Sequence, residues 1–463
     1  MRAPLPIPPR AGESRTPVGS PERLATVARL GDADARLLGG PAGAERLDSH
    51  LSRLGPLTAD AGAEDLLALV EQAGITGRGG GHFPLWRKIE AARRRGCPPL
   101  VVVNATEGEP ASAKDRTLLE LRPHLVLDGA TVVARAAGAS TVLVAVHRGS
   151  TAAASVLGAV AERQTGPVPS TAAGTGALAG PAPTFHVVDV PDQYVAGESS
   201  ALASFLGGGE ARPTSKVRPT AESGIDGRPT VVSNAETVAH VALIARFGAP
   251  WFRTAGGATG PGSMLLTLAG DVQAPGSVVE LLRPTAAADI ASWACGPDRN
   301  WQAVLVGGYS GTWLDRQQAT TTLLQPGRPG AGGVSAGCGI IGVIDEDRCG
   351  LGEAARLVRW LSDQRAGQCG ACAYGLPLVA TQMEALAAGQ AGGRRTGRRL
   401  ASLAENLVGR GLCSLPDGTV AMAESALDAF HDEARLHQRR RCSAASPVGA
   451  FPLTRGFTRD HWA

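Results

Sequence analysis

Three short runs, PLVVVN at 99–104, TVLVAV at 141–146 and FHVVDV at 185–190, limit the fold most tightly. The first reads as a buried strand running into a polar loop. Stretches of helical period separate the runs, from Arg116 to Gly138 and from Thr151 to Arg163. A fourth segment, YVAGESSALASFLGG at 194–208, turns into a further helix. Strand, helix, strand, helix, strand in that order implies an α/β layer structure with a mostly parallel sheet, because parallel neighbours need a crossover.

The remaining chain divides around this unit. With 463 residues, about three domains are expected. Residues 1–48 are rich in Pro, Gly and Arg and read as a mobile or loosely docked arm, ahead of an α/β domain over 49–250. That domain opens with a helix, DAGAEDLLALVEQAG, whose apolar stripe is Leu66, Leu67, Leu69 and Val70. Residues 165–183 form a low-complexity excursion. Short β segments around one helix, TAAADIASWA, suggest a β-grasp-like module over 251–330. Four helical stretches over 331–440 suggest a small bundle, and 441–463 is left as a tail. A net charge of +3 excludes a polyanion binder driven by bulk charge, so no nucleic acid is expected. No uncharged apolar run of about 18 residues occurs, and MRAPLPIPPRAGESR lacks the apolar core of a signal peptide. We expect a soluble, cytoplasmic protein without direct membrane insertion.

Composition becomes informative through its scarcities. Only Lys88, Lys114 and Lys216 are lysines, against 42 arginines. Under such a bias a surviving lysine marks a place where a planar guanidinium will not serve. Asparagine occurs only at 104, 234, 300 and 406, and tyrosine only at 194, 309 and 374. All three lysines, two asparagines and one tyrosine fall in four loops between 77 and 237. The first loop, Gly77, Arg78, Gly79, Gly80, Gly81, His82, Phe83 and Pro84, offers unhindered N–H groups for a phosphate, with Lys88 four residues on. A helix precedes it, so the strand-first dinucleotide fingerprint fails, and a plain Gly-rich surface loop is the alternative. Asn104, Glu107 and Glu109 follow a strand at the sheet's carboxyl edge, where α/β proteins bind ligands. Two such carboxylates suit acid–base work or ring and ribose contacts, unless they only cap the next helix. Tyr194, Gly197, Glu198, Lys216, Asn234 and Thr237 complete the group. A polar clamp around a phosphate-bearing planar cofactor fits it.

Eight cysteines in a cytoplasmic chain point to metal or redox chemistry rather than disulfides. Cys369 and Cys372 form a C-x2-C, with Cys413 41 residues beyond. Three thiolates suit corners of an iron–sulfur cube, zinc normally asks for four closed ligands, and the pair alone also reads as a redox dithiol or as inert buried thiols.

Together these segments resemble the flavin- and NADH-binding subunit of respiratory NADH:quinone oxidoreductase, complex I, and its relatives in soluble hydrogenases and formate dehydrogenases. The likeness runs from about Leu51 to His437. The family's glycine loop and lysine fall on Gly77–Pro84 and Lys88, its acidic loop on Asn104–Pro110 with Lys114-Asp115-Arg116, and its Y-x-x-GEE motif on Tyr194, Gly197 and Glu198. Lys216, Asn234, Glu236 and Thr237 match further motifs. The resemblance implies an FMN-binding α/β domain, an insert of the SLBB type and a helical iron–sulfur domain with Cys369, Cys372 and Cys413 as ligands. It also implies FMN rather than FAD, a 4Fe–4S cluster, NAD(P)H as substrate and Glu109 and Glu198 as catalytic carboxylates.

Departures from the family pattern carry their own expectations. Ala366 replaces the first cluster cysteine, so ligation is expected to be incomplete. Thr106, Ser199 and Ser233 replace an Asp, a Glu and an Asn of the family, and Ala91 and Pro219 replace pocket phenylalanines. The flavin shell is kept while the nicotinamide shell is thinned. The main expectation is electron transfer from NAD(P)H through FMN and the cluster to a ferredoxin-like or membrane redox partner, in a hetero-oligomer at the inner face of a membrane. The alternatives are a flavoprotein exchanging electrons between proteins without nicotinamide, and a degenerate docking subunit.

Overall fold

The computed structural model describes residues 27–28, 35–57, 61–165, 182–215, 217–327, 333–390, 393–446, 448–454 and 462. Its first sheet contains β1 (Leu100–Ala105), β2 (Thr141–His147), β3 (Thr184–Val190) and β4 (Thr230–Asn234), in the order β3-β2-β1-β4. All neighbours are parallel, with Val101 opposite both Val142 and Val231. Strand alternation sends Val101, Val103, Val142 and Val231 into one core and Leu100, Val102 and Val232 into another. The sheet is therefore covered on both faces, which explains the apolar β1.

Helices α1 (Ala63–Ala73), α2 (Leu85–Arg93), α3 (Lys114–Leu121), α4 (Pro123–Ala137), α5 (Thr151–Thr165), α6 (Ser199–Leu206) and α7 (Ala235–Phe252) surround it. The expected helix from Arg116 to Gly138 is two helices. Pro123 has no N–H to continue the first, and Arg122 before it leaves helical geometry at φ −134°, ψ 49°. Nor is α4 amphipathic, since all its residues but Arg135 are buried. The loose arm needs a second correction, because its described part is firmly held. Glu280 accepts the backbone N–H groups of Leu37 and Leu38, and Arg122 binds the carbonyls of Leu38, Gly39, Pro41 and Gly43. Most of the low-complexity excursion at 165–183, namely 166–181, lies outside the described residues, as does Lys216.

A second, mixed sheet follows, from β5 (Met264–Gly270), β6 (Val278–Leu281), β7 (Trp301–Val306), β8 (Thr312–Asp315) and β9 (Ile340–Asp345), ordered β6-β5-β9-β7-β8, with the two-residue strand Val27–Ala28 of the arm parallel to β6 as a sixth, edge strand. Central β9 lies parallel to β5 and antiparallel to β7, so this sheet continues past residue 330, where the sequence reading ended the module. Helix α8 (Ala287–Cys295) covers one face through Ala287, Ile290, Ala291 and Ala294. The other face gives Ala303, Leu305, Ile340 and Ile344 to the core of the C-terminal helices. Those are α9 (Gly350–Asp363), α10 (Leu376–Ala387), α11 (Gly393–Leu407), α12 (Leu415–Ala429) and α13 (His431–Gln438). The expected last helix breaks at Phe430, whose φ −111°, ψ 31° separates α12 from α13. The described part of the expected tail packs back on the bundle: Phe451 is buried, and buried Glu353 accepts the N–H groups of Gly449 and Phe451. Among the described residues no helix is long and apolar enough to cross a membrane.

Candidate functional site

Asn104 is the next-to-last residue of β1, Asn234 ends β4, and the two scarce asparagines are register partners at the sheet's carboxyl edge. Asn234 also starts α7, its Oδ1 accepting the Glu236 N–H at 3.1 Å. Its Nδ2 donates to Asp115 Oδ2 at 2.5 Å. Asn104 Nδ2 donates to the Gly197 carbonyl at 2.8 Å, and its Oδ1 accepts the Thr106 hydroxyl at 2.6 Å. The second and third loops are thereby tied together.

Beneath them lies Lys114, almost wholly buried. Its Nζ meets Asp115 Oδ1 at 2.8 Å, Glu236 Oε2 at 3.0 Å and Asn234 Oδ1 at 3.2 Å. Burial alone would lower its pKa, but Asp115 and Glu236 outweigh burial and hold it above the ordinary lysine value. An arginine fork would not fit three acceptors set around one point. Lys114, Asp115 and Glu236 lie in the matched motifs, and lysine scarcity points to Lys114, but the sequence names none of the three among its cofactor or catalytic residues.

The glycine loop leans on the same edge. The Arg78 N–H donates to Thr237 Oγ1 at 2.8 Å, and its buried guanidinium reaches the Pro261 carbonyl at 2.7 Å. Burial lowers the Arg78 pKa to about 10, with Glu236 opposing the shift. A Cβ at Gly79 would stand 3.4 Å from the Asn234 side chain, and one at Gly80, where φ is +92°, would stand 3.5 Å from the Gly337 backbone. Gly81 faces open space, and Phe83 is about half exposed at 48%. These are ordinary contacts, and with the positive φ at Gly80 and the open side of Gly81 the loop presents bare backbone, which fits a phosphate-bearing cofactor. Half-buried Lys88 donates to the Val232 carbonyl on β4 at 2.9 Å, and burial lowers its pKa. This bond uses one of its three N–H groups.

The three predicted carboxylates divide. Glu107 caps α3, accepting the N–H groups of Asp115 at 2.9 Å and Arg116 at 3.0 Å, and Glu198 caps α6 through the N–H groups of Ser200 and Ala201. Glu109 instead sits where the two sheets meet, 6% exposed. It accepts the Tyr309 N–H at 2.7 Å, the Tyr194 hydroxyl at 3.3 Å and the Cys338 thiol. Burial pushes its pKa up to about 7 against those donors. A Cβ at Gly308 would collide with its Oε2, so only glycine leaves this carboxyl room. Tyr309 and Cys338 escaped the sequence reading because Tyr309 meets Glu109 across 200 residues of chain and Cys338 across still more.

Tyr194 connects this pocket to the cysteine loop. Its hydroxyl meets Ser310 Oγ at 2.8 Å, its ring packs edge-on against Trp360, and its N–H donates to Gln364 Oε1 at 3.3 Å. Gln364 stands two residues before Ala366. Cys372 lies on a widened helical turn, Ala371–Gly375, and Cys369 stands just before it, its carbonyl accepting the Cys372 N–H at 3.1 Å, while the Gly367 N–H donates to Cys372 Sγ at 3.3 Å. Burial raises the Cys372 thiol to about 11, with Cys369 and Cys413 close enough to add to the effect. Three converging thiols fit three corners of an iron–sulfur cube, while the Ala366 methyl offers no donor. Ser199 lies at the first turn of α6, Ala91 is half-buried on α2, and Pro219 sits in an exposed turn.

Residues 70–243 match the model of the Nuo51 FMN-binding domain, and residues 352–437 match that of the NADH-ubiquinone oxidoreductase-F iron–sulfur binding region. The protein is thus an oxidoreductase component with an FMN-binding domain and a 4Fe–4S region. The chain is 31% identical over 391 residues to the second NADH-quinone oxidoreductase F chain of Rhizobium meliloti, covering 82% of this chain and 90% of that protein. It is 29% identical over 377 residues to the NADH-quinone oxidoreductase F chain of Streptomyces coelicolor, covering 81% and 83%. It belongs to the family of NADH-quinone oxidoreductase F subunits. A crystal structure of NAD+-reducing NiFe-hydrogenase in the H2-reduced state superposes with a TM-score of 0.71 at 27% identity, covering 88% of this chain. The chain spans 65% of that hydrogenase chain.

Proposed function

We propose that this chain accepts electrons from NADH at FMN in the glycine cleft and passes them through the cysteine loop to a protein partner. When bound, FMN takes two electrons as a hydride and releases them one at a time. Gly77, Arg78, Gly79, Gly80, Gly81 and Phe83 form its cradle, with Lys88, Asn104, Tyr194, Gly197, Asn234 and Thr237 around it. Glu107 and Glu198 set the walls by capping α3 and α6. Glu109, with a pKa near neutrality, holds or releases a proton beside Tyr194 and Cys338. Cys369, Cys372 and Cys413 hold three corners of the cluster.

The observation that carries this reading is the Tyr194–Gln364 contact, which joins the loop bonded to Asn104 directly to the segment entering the cysteine turn. An electron path needs such contiguity. The mixed second sheet with α8 is our candidate for the SLBB-type insert. The relatives are named as subunits, so we assign this chain to a hetero-oligomer that meets its membrane complex peripherally, with a ferredoxin-like or membrane protein as acceptor. Fluorescence quenching of FMN on titration with the full chain tests the cleft. Saturable binding that weakens in Asn234→Ala supports it, and no quenching would remove it.

A further inference from the structure

A second group of thiols lies apart from Cys369, Cys372 and Cys413. Cys349 begins α9, Glu433 and His437 stand one turn apart on α13, and Cys442 follows that helix. One ligand atom from each of the four lies within 4.8 Å of every other. His437 Nε2 is 3.4 Å from Cys349 Sγ and 2.9 Å from Glu433 Oε1. Cys349 and His437 are each 1% exposed.

The surroundings orient these groups inward. His437 Nδ1 lies 2.6 Å from the Ala387 carbonyl, which fixes the proton there and leaves the Nε2 lone pair facing the thiols. The Gly352 N–H donates to Cys349 Sγ at 3.2 Å, and the Ser443 N–H donates to Glu433 Oε1 at 3.1 Å. A disulfide between the two cysteines would leave the aimed imidazole and carboxylate unexplained. Bonds of about 2.0–2.3 Å from zinc space the corners of a tetrahedron about 3.3–3.8 Å apart. The observed separations, from 2.9 Å to no more than 4.8 Å, bracket that spacing. Two sulfurs, one imidazole nitrogen and one carboxylate oxygen are a closed set for zinc, with no open position for substrate.

We propose that Cys349, Glu433, His437 and Cys442 bind one structural zinc ion that pins the C-terminal segment to the helical domain. That segment is the one whose Ala445 and Ser446 N–H groups reach the Asp347 carbonyl and whose Pro452 carbonyl accepts the Tyr309 hydroxyl. Tyr309 is also the residue whose N–H holds Glu109. The zinc therefore stabilises, from outside, the wall behind the cleft.

Elemental analysis of the full chain, dialysed against chelating resin, tests this. We expect about one zinc per chain, and replacement by Co(II) giving thiolate-to-metal absorption in the near ultraviolet with visible bands of tetrahedral intensity. The Cys349→Ser/Cys442→Ser pair loses both signals, while Cys369→Ser/Cys372→Ser keeps them and loses iron instead. His437→Gln, which keeps both thiols, weakens zinc retention against a chelator at least tenfold. Wild-type chain that takes up neither zinc nor Co(II), a Cys349–Cys442 disulfide in non-reducing peptide mapping, or zinc unchanged in the Cys349/Cys442 variant overturns the proposal. The Co(II) spectrum needs no variant, so a misfolded mutant does not decide the matter.

Discussion

Replacing Glu109 with Gln removes a charge while keeping shape and an acceptor oxygen for the Tyr309 N–H. Burial lifts the carboxyl from an ordinary 4.5 to about 7, so the folded chain holds this proton more tightly than the unfolded one. Stability from the protonated form is full below about pH 4.5 and is lost as pH rises toward and through 7. At about 1.4 kcal/mol per pH unit, the loss is about 3 kcal/mol. Glu109→Gln does not titrate and should escape it. Urea unfolding of FMN-free protein, followed by tryptophan fluorescence, suits the test because Trp360 packs against both Tyr194 and Tyr309. The stability difference, variant minus wild type, should rise by about 3 kcal/mol between pH 4.5 and 8. Parallel pH profiles for the two chains would refute the claim that this carboxyl is desolvated in the fold.

Lys88→Ala should weaken FMN binding by about 1–3 kcal/mol, because an ammonium making a charge-assisted bond is lost; an unchanged affinity by fluorescence titration would remove Lys88 from the cleft. Ala366→Cys should raise iron retention after anaerobic reconstitution and slow cluster loss in air, whereas Cys369→Ser/Cys372→Ser should abolish retention; iron and sulfide analysis with electron paramagnetic resonance reads both. Ser199→Glu restores a family carboxylate at the start of α6 and should lower the KM for NADH several-fold. An unchanged KM would mean that Ser199 does not face the nucleotide.

Much of the first domain was legible because local rules and the fold agree there. β1, β2 and β3 lie within a residue or so of the runs that announced them, since burial on both faces demands such runs. Asn104 and Asn234 were found by scarcity, and the register then set them side by side. What failed to show depends on distance along the chain. Strand β9, in a glycine-rich stretch, gains its place only between β5 and β7. Glu109 looked like one more loop carboxylate until Tyr309, Gly308 and Cys338 closed around it from the second sheet. Cys349 lies so far along the chain from His437 and Cys442 that no spacing rule joins them, and the fold alone brings it to that pair. Glu107 and Glu198 show the opposite case, in which motif residues expected at the ligand bond to backbone as helix caps.

The central claim is that one chain carries electrons from NADH to flavin and on to iron. Its most direct test is an anaerobic titration of FMN-loaded, cluster-reconstituted protein with NADH, following flavin absorbance and then freezing samples for electron paramagnetic resonance. We predict bleaching of the flavin at near-stoichiometric NADH and a reduced-cluster signal that disappears in Cys369→Ser/Cys372→Ser. Flavin that bleaches with dithionite but not with excess NADH would contradict the account.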